Sequence, residues 1–232
     1  MLLSHERPEA GSRIAWHICA MPLQSGGRPG REMTRAGASA SARLARIASA
    51  VRAHAPARAE RDGTYFEAAV ALILRETVDG EVELLFIKRA ARDDDPWSGQ
   101  IALPGGRHQA SDQSLEDTAV RETLEEVGLE LRRHGAVVGA LDELRPRIPV
   151  LPPVIVRPYV ATVVADATIA ASDEVAAHFW APLDAILDPA ASRDTEIVVR
   201  QMRTVRPAIH YGGHMIWGMT EHILRRFEEI IR

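Results

Sequence analysis

This sequence has one cysteine, Cys19, and one lysine, Lys88, among its 232 residues. A single cysteine closes no internal disulfide, so a disulfide scaffold is excluded and a reducing cytoplasm is the expected compartment. Nothing in the sequence places a base beside Cys19, so a reactive thiol is unsupported. No stretch reaches the roughly 18 apolar residues of a membrane span, and the start, MLLSHERPEAG, lacks the apolar core of a signal peptide. There is no excess of positive charge either: the net charge is −4. A global basic field for nucleic acid is thereby excluded, and a polyanionic substrate would need a metal or a few local arginines. The scarcity of lysine and the abundance of alanine read as codon usage in a GC-rich genome.

With 46% hydrophobic and 26% charged residues, the chain is long enough for one sizeable core with an appendage. Residues 1–40, rich in Gly, Ser, Pro and Arg without a sustained period, are expected to form a disordered N-terminal extension, and residues 41–232 the domain. Met33 is a candidate translation start. Met33 to Ala59 holds arginines and no acid, as a mitochondrial presequence does, but Leu44, Ile47, Ala48 and Val51 follow helical spacing and favour a first helix packed on the domain.

Phe66 to Leu74 and Val82 to Lys88 read as strands joined by a turn at Asp79-Gly80. A polar loop runs to Gly106. A helix is expected from Ser114 to Val127, capped by Ser114 with Asp117 and stopped by Gly128. Further strands are expected at Ala136 to Leu141, Val154 to Val164 and His178 to Leu183. A helical turn follows at Asp184 to Leu187, then a hairpin turning at Gly212-Gly213 and a last helix from Met219 to Ile231. Interleaved strands and helices with several tight turns predict an α/β protein with a mixed sheet covered by helices.

The chemistry concentrates in RETLEEVGL, Arg121 to Leu129. At about 100° per residue, Glu122, Glu125 and Glu126 share one face, with Val120, Leu124 and Val127 roughly opposite. Three unscreened glutamates repel one another, and a solvated acidic stripe is the plain alternative. The absence of interleaved lysines, and the tight Pro104-Gly105-Gly106 loop before the helix, favour a ligand instead. An oxygen-only cluster suits Mg2+ or Mn2+, which would polarise a phosphoryl group and acidify a bound water.

Gly105 to Leu129 resembles the Nudix box: Gly, five residues, Glu, seven residues, then Arg-Glu-apolar-x-Glu-Glu-x-Gly-apolar. The second half matches at Arg121, Glu122, Glu125, Glu126, Gly128 and Leu129, with Thr123 at the apolar position. In the first half, five residues lead from Gly106 to Asp112, which stands where the box has Glu, and eight rather than seven residues then precede Arg121. Over Phe66 to Arg232 the chain is also similar to the coenzyme A pyrophosphatase branch, through Arg89-Ala90, the loop DPWSGQ before Pro104-Gly105-Gly106, and Ile216 to Thr220. It departs from that branch at Asp94, in an arginine position, and at Leu103, in place of Phe.

The resemblance implies a Nudix fold, an α/β/α sandwich around a mixed sheet. It also implies Mg2+-dependent hydrolysis (or Mn2+-dependent) of a nucleoside diphosphate derivative. With coenzyme A the products would be 3′,5′-ADP and 4′-phosphopantetheine; ADP-ribose, NADH or a dinucleotide are the alternatives, and a non-catalytic nucleotide sensor is a third reading. The expected partner is a nucleotide-type small molecule, not nucleic acid or membrane, and a homodimer is compatible. Glu125 and Glu126 are expected as metal ligands, Glu122 as a third ligand or water-orienting group, and Asp112 as the replacement for the box's missing Glu, an accessory metal ligand or a helix-anchoring group. Arg121 is expected to pair with one of these carboxylates, and Gly105 and Gly106 to supply backbone geometry, a carbonyl of one completing the metal shell.

Lys88, Arg89 and Arg92 lie at a strand end suited to diphosphate contacts, with ordinary surface charge as the alternative. Asp93 to Asp95 read as a solvated loop ahead of a second metal site. Ser98 lacks the G-x-S-x-G elbow of a nucleophile. Asp173 and Glu174 are candidate bases, each more simply an exposed loop acid. His210 and His214 fall out of register for zinc, and Trp97, Trp180 and Trp217 are expected in the core.

Overall fold

The computed structural model describes residues 35–91, 98–146, 153–199 and 202–232. The first helix, α1 (Arg35–Ala53), begins inside the stretch read as an extension. Its Ile47, Ala48 and Val51 are buried, as their spacing demands. Two long strands follow, β1 (Phe66–Glu76) and β2 (Val82–Arg89), antiparallel across a connection in which Thr77 N–H donates to Glu81 O and Gly80 takes φ 85°.

Two short strands come next, β3 (Ile101–Ala102) on β2 and β4 (Gly105–Arg107) on β1. Both lie in the segment expected to be loop. Their pairing is with residues far away in sequence, which no local pattern announces. The helix α2 (Leu115–Val127) has the expected ends: Ser114 accepts from Asp117 N–H, and Gly128 adopts φ 67°. A short helix α3 (Leu131–His134) leads into β5 (Gly135–Ala140), followed by β6 (Val154–Val163) and β7 (Val175–Pro182).

After the turn α4 (Leu183–Leu187) come β8 (Ser192–Val199), β9 (Met202–Tyr211), β10 (His214–Trp217) and the last helix α5 (Met219–Ile231). The hairpin turns at Gly212-Gly213 as expected. Polar SRDTEIVV carried no strand signal, yet β8 pairs with β9 along its whole length.

The main sheet has seven strands in the order β3-β2-β1-β6-β5, with β4 on β1 and β7 on β2; β8, β9 and β10 form a second, three-stranded sheet. The main sheet is mixed, because β1 runs parallel to β6 and antiparallel to β2 and β4. Side chains alternate across it. Ala69, Ala71, Ile73, Leu85 and Ile87 face α2 with Ala119 and Val127. Leu72, Leu74, Leu84 and Phe86 face the opposite layer, built from α1, α5 and the small sheet through Val51, Ile209, Ile216, Ile223 and Phe227. Cover on both faces explains why β1 and β2 read as nearly unbroken apolar runs.

The helical wheel of α2 needs one correction. Leu124 is 46% exposed, and the buried side is Ala119, Thr123, Glu126 and Val127. Thr123, at the position where the box has an apolar residue, satisfies its hydroxyl by donating to Ala119 O at 2.7 Å.

Candidate active site

The strands β1 and β2 pair only at Leu74–Glu76 with Val82–Leu84 and then separate. The Gly105-Gly106 strand fills the gap beside Ala69 and Val70, directly under α2. Close approach to backbone requires glycine at 105, and at 106 a side chain would displace the Glu122 carboxylate. A Cβ on Gly105 would lie 2.3 Å from Ala69 O, and one on Gly106 would lie 2.5 Å from the Glu122 carboxylate.

Glu126, turned inward, is 4% exposed, and its Oε2 accepts the Gly105 N–H at 2.9 Å. Its Oε1 lies 3.9 Å from Arg89 Nη1. Burial pushes the Glu126 carboxyl up to about 7, against the pull of Gly105 and Arg89, with Glu122 and Glu174 adding repulsion. Glu122, 14% exposed at its side chain, is also raised by burial, opposed by Arg121 and reinforced by Glu125 and Glu174. Glu125 is 55% exposed at its side chain.

Arg121 organises this group. Its Nη1 donates at 2.8 Å to both Glu122 Oε1 and Glu125 Oε2. Its Nε and Nη2 make a bidentate pair with Asp112 at 2.9 and 3.0 Å, and Nη2 also reaches Arg107 O at 3.1 Å. The Asp112 carboxylate further accepts from Gln109 N–H at 3.0 Å and Thr118 Oγ1 at 2.9 Å. Arg121 holds it well below the usual carboxylate range. Of the two roles open to Asp112, metal ligand or helix anchor, its contacts favour the second: its oxygens accept from Arg121, Gln109 and Thr118.

Glu174 joins the site more firmly than its position in a loop suggested. Its carbonyl accepts from Ala90 N–H, and the neighbouring Ser172 N–H bonds the Glu126 carbonyl. Its charge acts on both Glu122 and Glu126. The sequence signal was its place shortly before the expected strand at His178; its pairing neighbourhood with Arg89 is long-range.

Of the expected cations, Arg89 points to the α2 face and reaches Glu126. Strand alternation puts Lys88 on the face of Leu84 and Phe86, so the structure does not bring it to the carboxylates. Arg92, Asp93 to Asp95 and Trp97 lie outside the described residues. His210 pairs with Met215 and His214 with Tyr211, and His210 Nε2 contacts Thr195 Oγ1, so no zinc pair forms. Trp180 lies under the Arg75 guanidinium at 4.0 Å. Two residues of the Asp112 network, Thr118 and His108, had no motif to mark them.

Among the described residues, no three His, Cys, Asp or Glu side chains converge closely enough to hold a metal ion. In this arrangement Arg121 Nη1 lies between Glu122 and Glu125. The donor set nonetheless fits a hard divalent cation: the side-chain donors are oxygens only, the charge of Glu122 bears on the largely buried Glu126, and that of Glu125 bears on Glu122.

The NUDIX domain family model matches residues 65–201. An uncharacterized Schizosaccharomyces pombe protein is 57% identical over 61 residues, 26% of this chain and 18% of that one. Nudix hydrolase 15, mitochondrial, of Arabidopsis thaliana is 31% identical over 175 residues, 68% of this chain and 56% of that protein. The chain thus spans under a fifth and just over half of these two relatives. Among solved structures, a C. elegans Ap4A hydrolase binary complex aligns with TM-score 0.49 and 17% identity over 72% of this chain and 97% of that one.

Proposed function

Because the chain belongs to the NUDIX domain family, we propose that it is a divalent-metal-dependent hydrolase of nucleoside diphosphate derivatives, acting on coenzyme A or its thioesters. The observation that carries the reading is the placing of three glutamates over Gly105-Gly106, Glu122 and Glu125 held by the clamped Arg121 and Glu126 by the Gly105 N–H. The coenzyme A preference is supported by the sequence from Arg89 to Gly106 and by Ile216 to Thr220. ADP-ribose, NADH and dinucleotides are the competing substrates.

Nudix hydrolases generally use divalent metal ions; here Mg2+ or Mn2+ would be held by Glu122, Glu125 and Glu126 and would supply charge neutralisation at the diphosphate and a more acidic water. The chain's own residues do the rest. Glu126 would hold the ion as a carboxylate, with Gly105 N–H fixing one of its oxygens. Arg121 sets the spacing of Glu122 and Glu125. Arg89 presents positive charge on the same face for a diphosphate oxygen. Glu174, whose charge bears on Glu122 and Glu126, is the proposed acceptor of the attacking water's proton. A reducing, cytoplasmic location is a proposal resting on the single cysteine, read out by cell fractionation.

The test is to incubate the full chain with coenzyme A, ADP-ribose and NADH, with and without Mg2+, and to resolve the products. The reading expects 3′,5′-ADP and 4′-phosphopantetheine from coenzyme A, only with metal, and loss of turnover in Glu125→Gln with the fold retained. Undiminished turnover in that variant would remove the metal role. Cleavage of ADP-ribose in preference to coenzyme A would replace the substrate.

A further inference from the structure

Behind the Arg121 clamp lies a chain of side chains that none of the matched motif positions explains. Asp112 Oδ2 accepts from Thr118 Oγ1 at 2.9 Å, and His108 Nδ1 lies 2.9 Å from the same hydroxyl. Thr118 is fully buried, one turn before Glu122 on α2. Its hydroxyl has one proton. The ionised Asp112 carboxylate, nearer at 2.9 Å than Ser114 O at 3.3 Å and the stronger acceptor, takes that proton, so the contact with His108 requires the imidazole Nδ1 to donate. The order is therefore His108 to Thr118 to Asp112, with Arg121 donating to Asp112 from the other side and to Glu122 and Glu125 beyond it.

The geometry of Asp112 shows why such backing is needed. The box has a glutamate here; this chain has the shorter aspartate and one extra residue before Arg121. The carboxylate is held in place by its loop, through Gln109 N–H, and by the helix, through Thr118. Thr118 is the only side chain of α2 other than Arg121 to bond Asp112 among the described residues.

We propose that Thr118 and His108 are positioning residues: acting through Asp112, they fix the Arg121 guanidinium and with it the separation of Glu122 and Glu125. Neither touches substrate or metal. The inference rests on the metal-binding reading of those glutamates. Outer hydrogen-bonding partners of metal ligands typically shift metal affinity about 10–100-fold on mutation. Thr118 stands two links further out than such a partner, so an effect at or below the lower bound is expected.

The experiment is Mn2+ titration of the full chain, followed by the loss of the free-ion electron paramagnetic resonance signal. It compares wild type, Thr118→Val, Thr118→Ser, His108→Phe and Glu126→Gln, with a thermal melt of each metal-free protein. Thr118→Val should weaken Mn2+ binding by about tenfold. Thr118→Ser, which keeps the hydroxyl, should bind like wild type even if it melts lower, and His108→Phe should fall between. A purely structural threonine would lower both melts and leave affinity alone. Wild-type affinity in Thr118→Val overturns this inference, provided Glu126→Gln loses the ion. If wild type binds no Mn2+ at all, the metal-binding reading and this inference fall together.

Discussion

Replacing Asp112 with asparagine separates an anchor from a ligand. The Asp112 side chain is 4% exposed, and that of Arg121 19%. The substitution removes the charge and turns one of two accepting oxygens into a donor, so at least one of the two Arg121 contacts, at 2.9 and 3.0 Å, becomes donor against donor. Breaking a buried pair costs about 3–5 kcal/mol. Arg121 keeps Glu122, Glu125 and Arg107 O and reaches some solvent, so a loss of about 2–3 kcal/mol is expected here. For a chain of this length that is a melting shift of about 4–12 °C.

Urea denaturation of the metal-free protein at pH 7 measures this loss, and its pH dependence tests the cause. The folded Asp112 carboxyl lies below its ordinary value of 3.8, so its contribution is fully present above that value and is lost as pH falls through it toward the folded one. The gap between wild type and Asp112→Asn should therefore narrow below about pH 4. A gap under about 0.5 kcal/mol at pH 7, within the range of ordinary surface changes, would refute the anchoring role. So would a normal metal-free melt combined with abolished Mn2+ binding, the signature of a direct ligand.

Glu143 is fully buried at its side chain and accepts from Arg61 twice at 2.8 Å, from Ala59 N–H at 2.9 Å and from Arg157. Glu143→Ala should cost about 3–5 kcal/mol in denaturant titration, because two arginines are left without it. Glu126 titrates near 7 when folded, against an ordinary 4.5, so the metal-free protein should lose stability as pH rises between these values. Glu126→Gln should flatten that part of the profile. Gly106→Ala would push a methyl into the Glu122 carboxylate, 2.5 Å away. A flexible side chain can move aside, so the fold should survive while Mn2+ affinity drops about tenfold or more, as titration would show.

Features governed by short-range rules were legible in the sequence. Ser114, Asp117 and Gly128 marked both ends of α2, and the Asp79-Gly80 and Gly212-Gly213 turns located two hairpins. The box placed the three glutamates and Arg121 in one cluster. Long-range geometry was hidden. Gly105 to Arg107 is a strand only because Ala68 to Val70 lies beside it. Leu124 and Glu126 exchange their expected environments because α2 packs through Ala119, Thr123 and Val127, and a buried glutamate bonded to Gly105 N–H sits on that side. Arg89 and Lys88 look equivalent as neighbours, but alternation sends them to opposite faces. Thr118 and His108 gain meaning only once Asp112 is seen to hold Arg121.

The central claim is that Glu122, Glu125 and Glu126 together hold a divalent ion. Anomalous diffraction from crystals of the protein grown with Mn2+ tests it most directly. The account predicts a manganese peak bounded by oxygens of these three glutamates, with Asp112 still paired to Arg121. A manganese-bearing crystal with no peak there, and Arg121 still bridging Glu122 and Glu125, would contradict it.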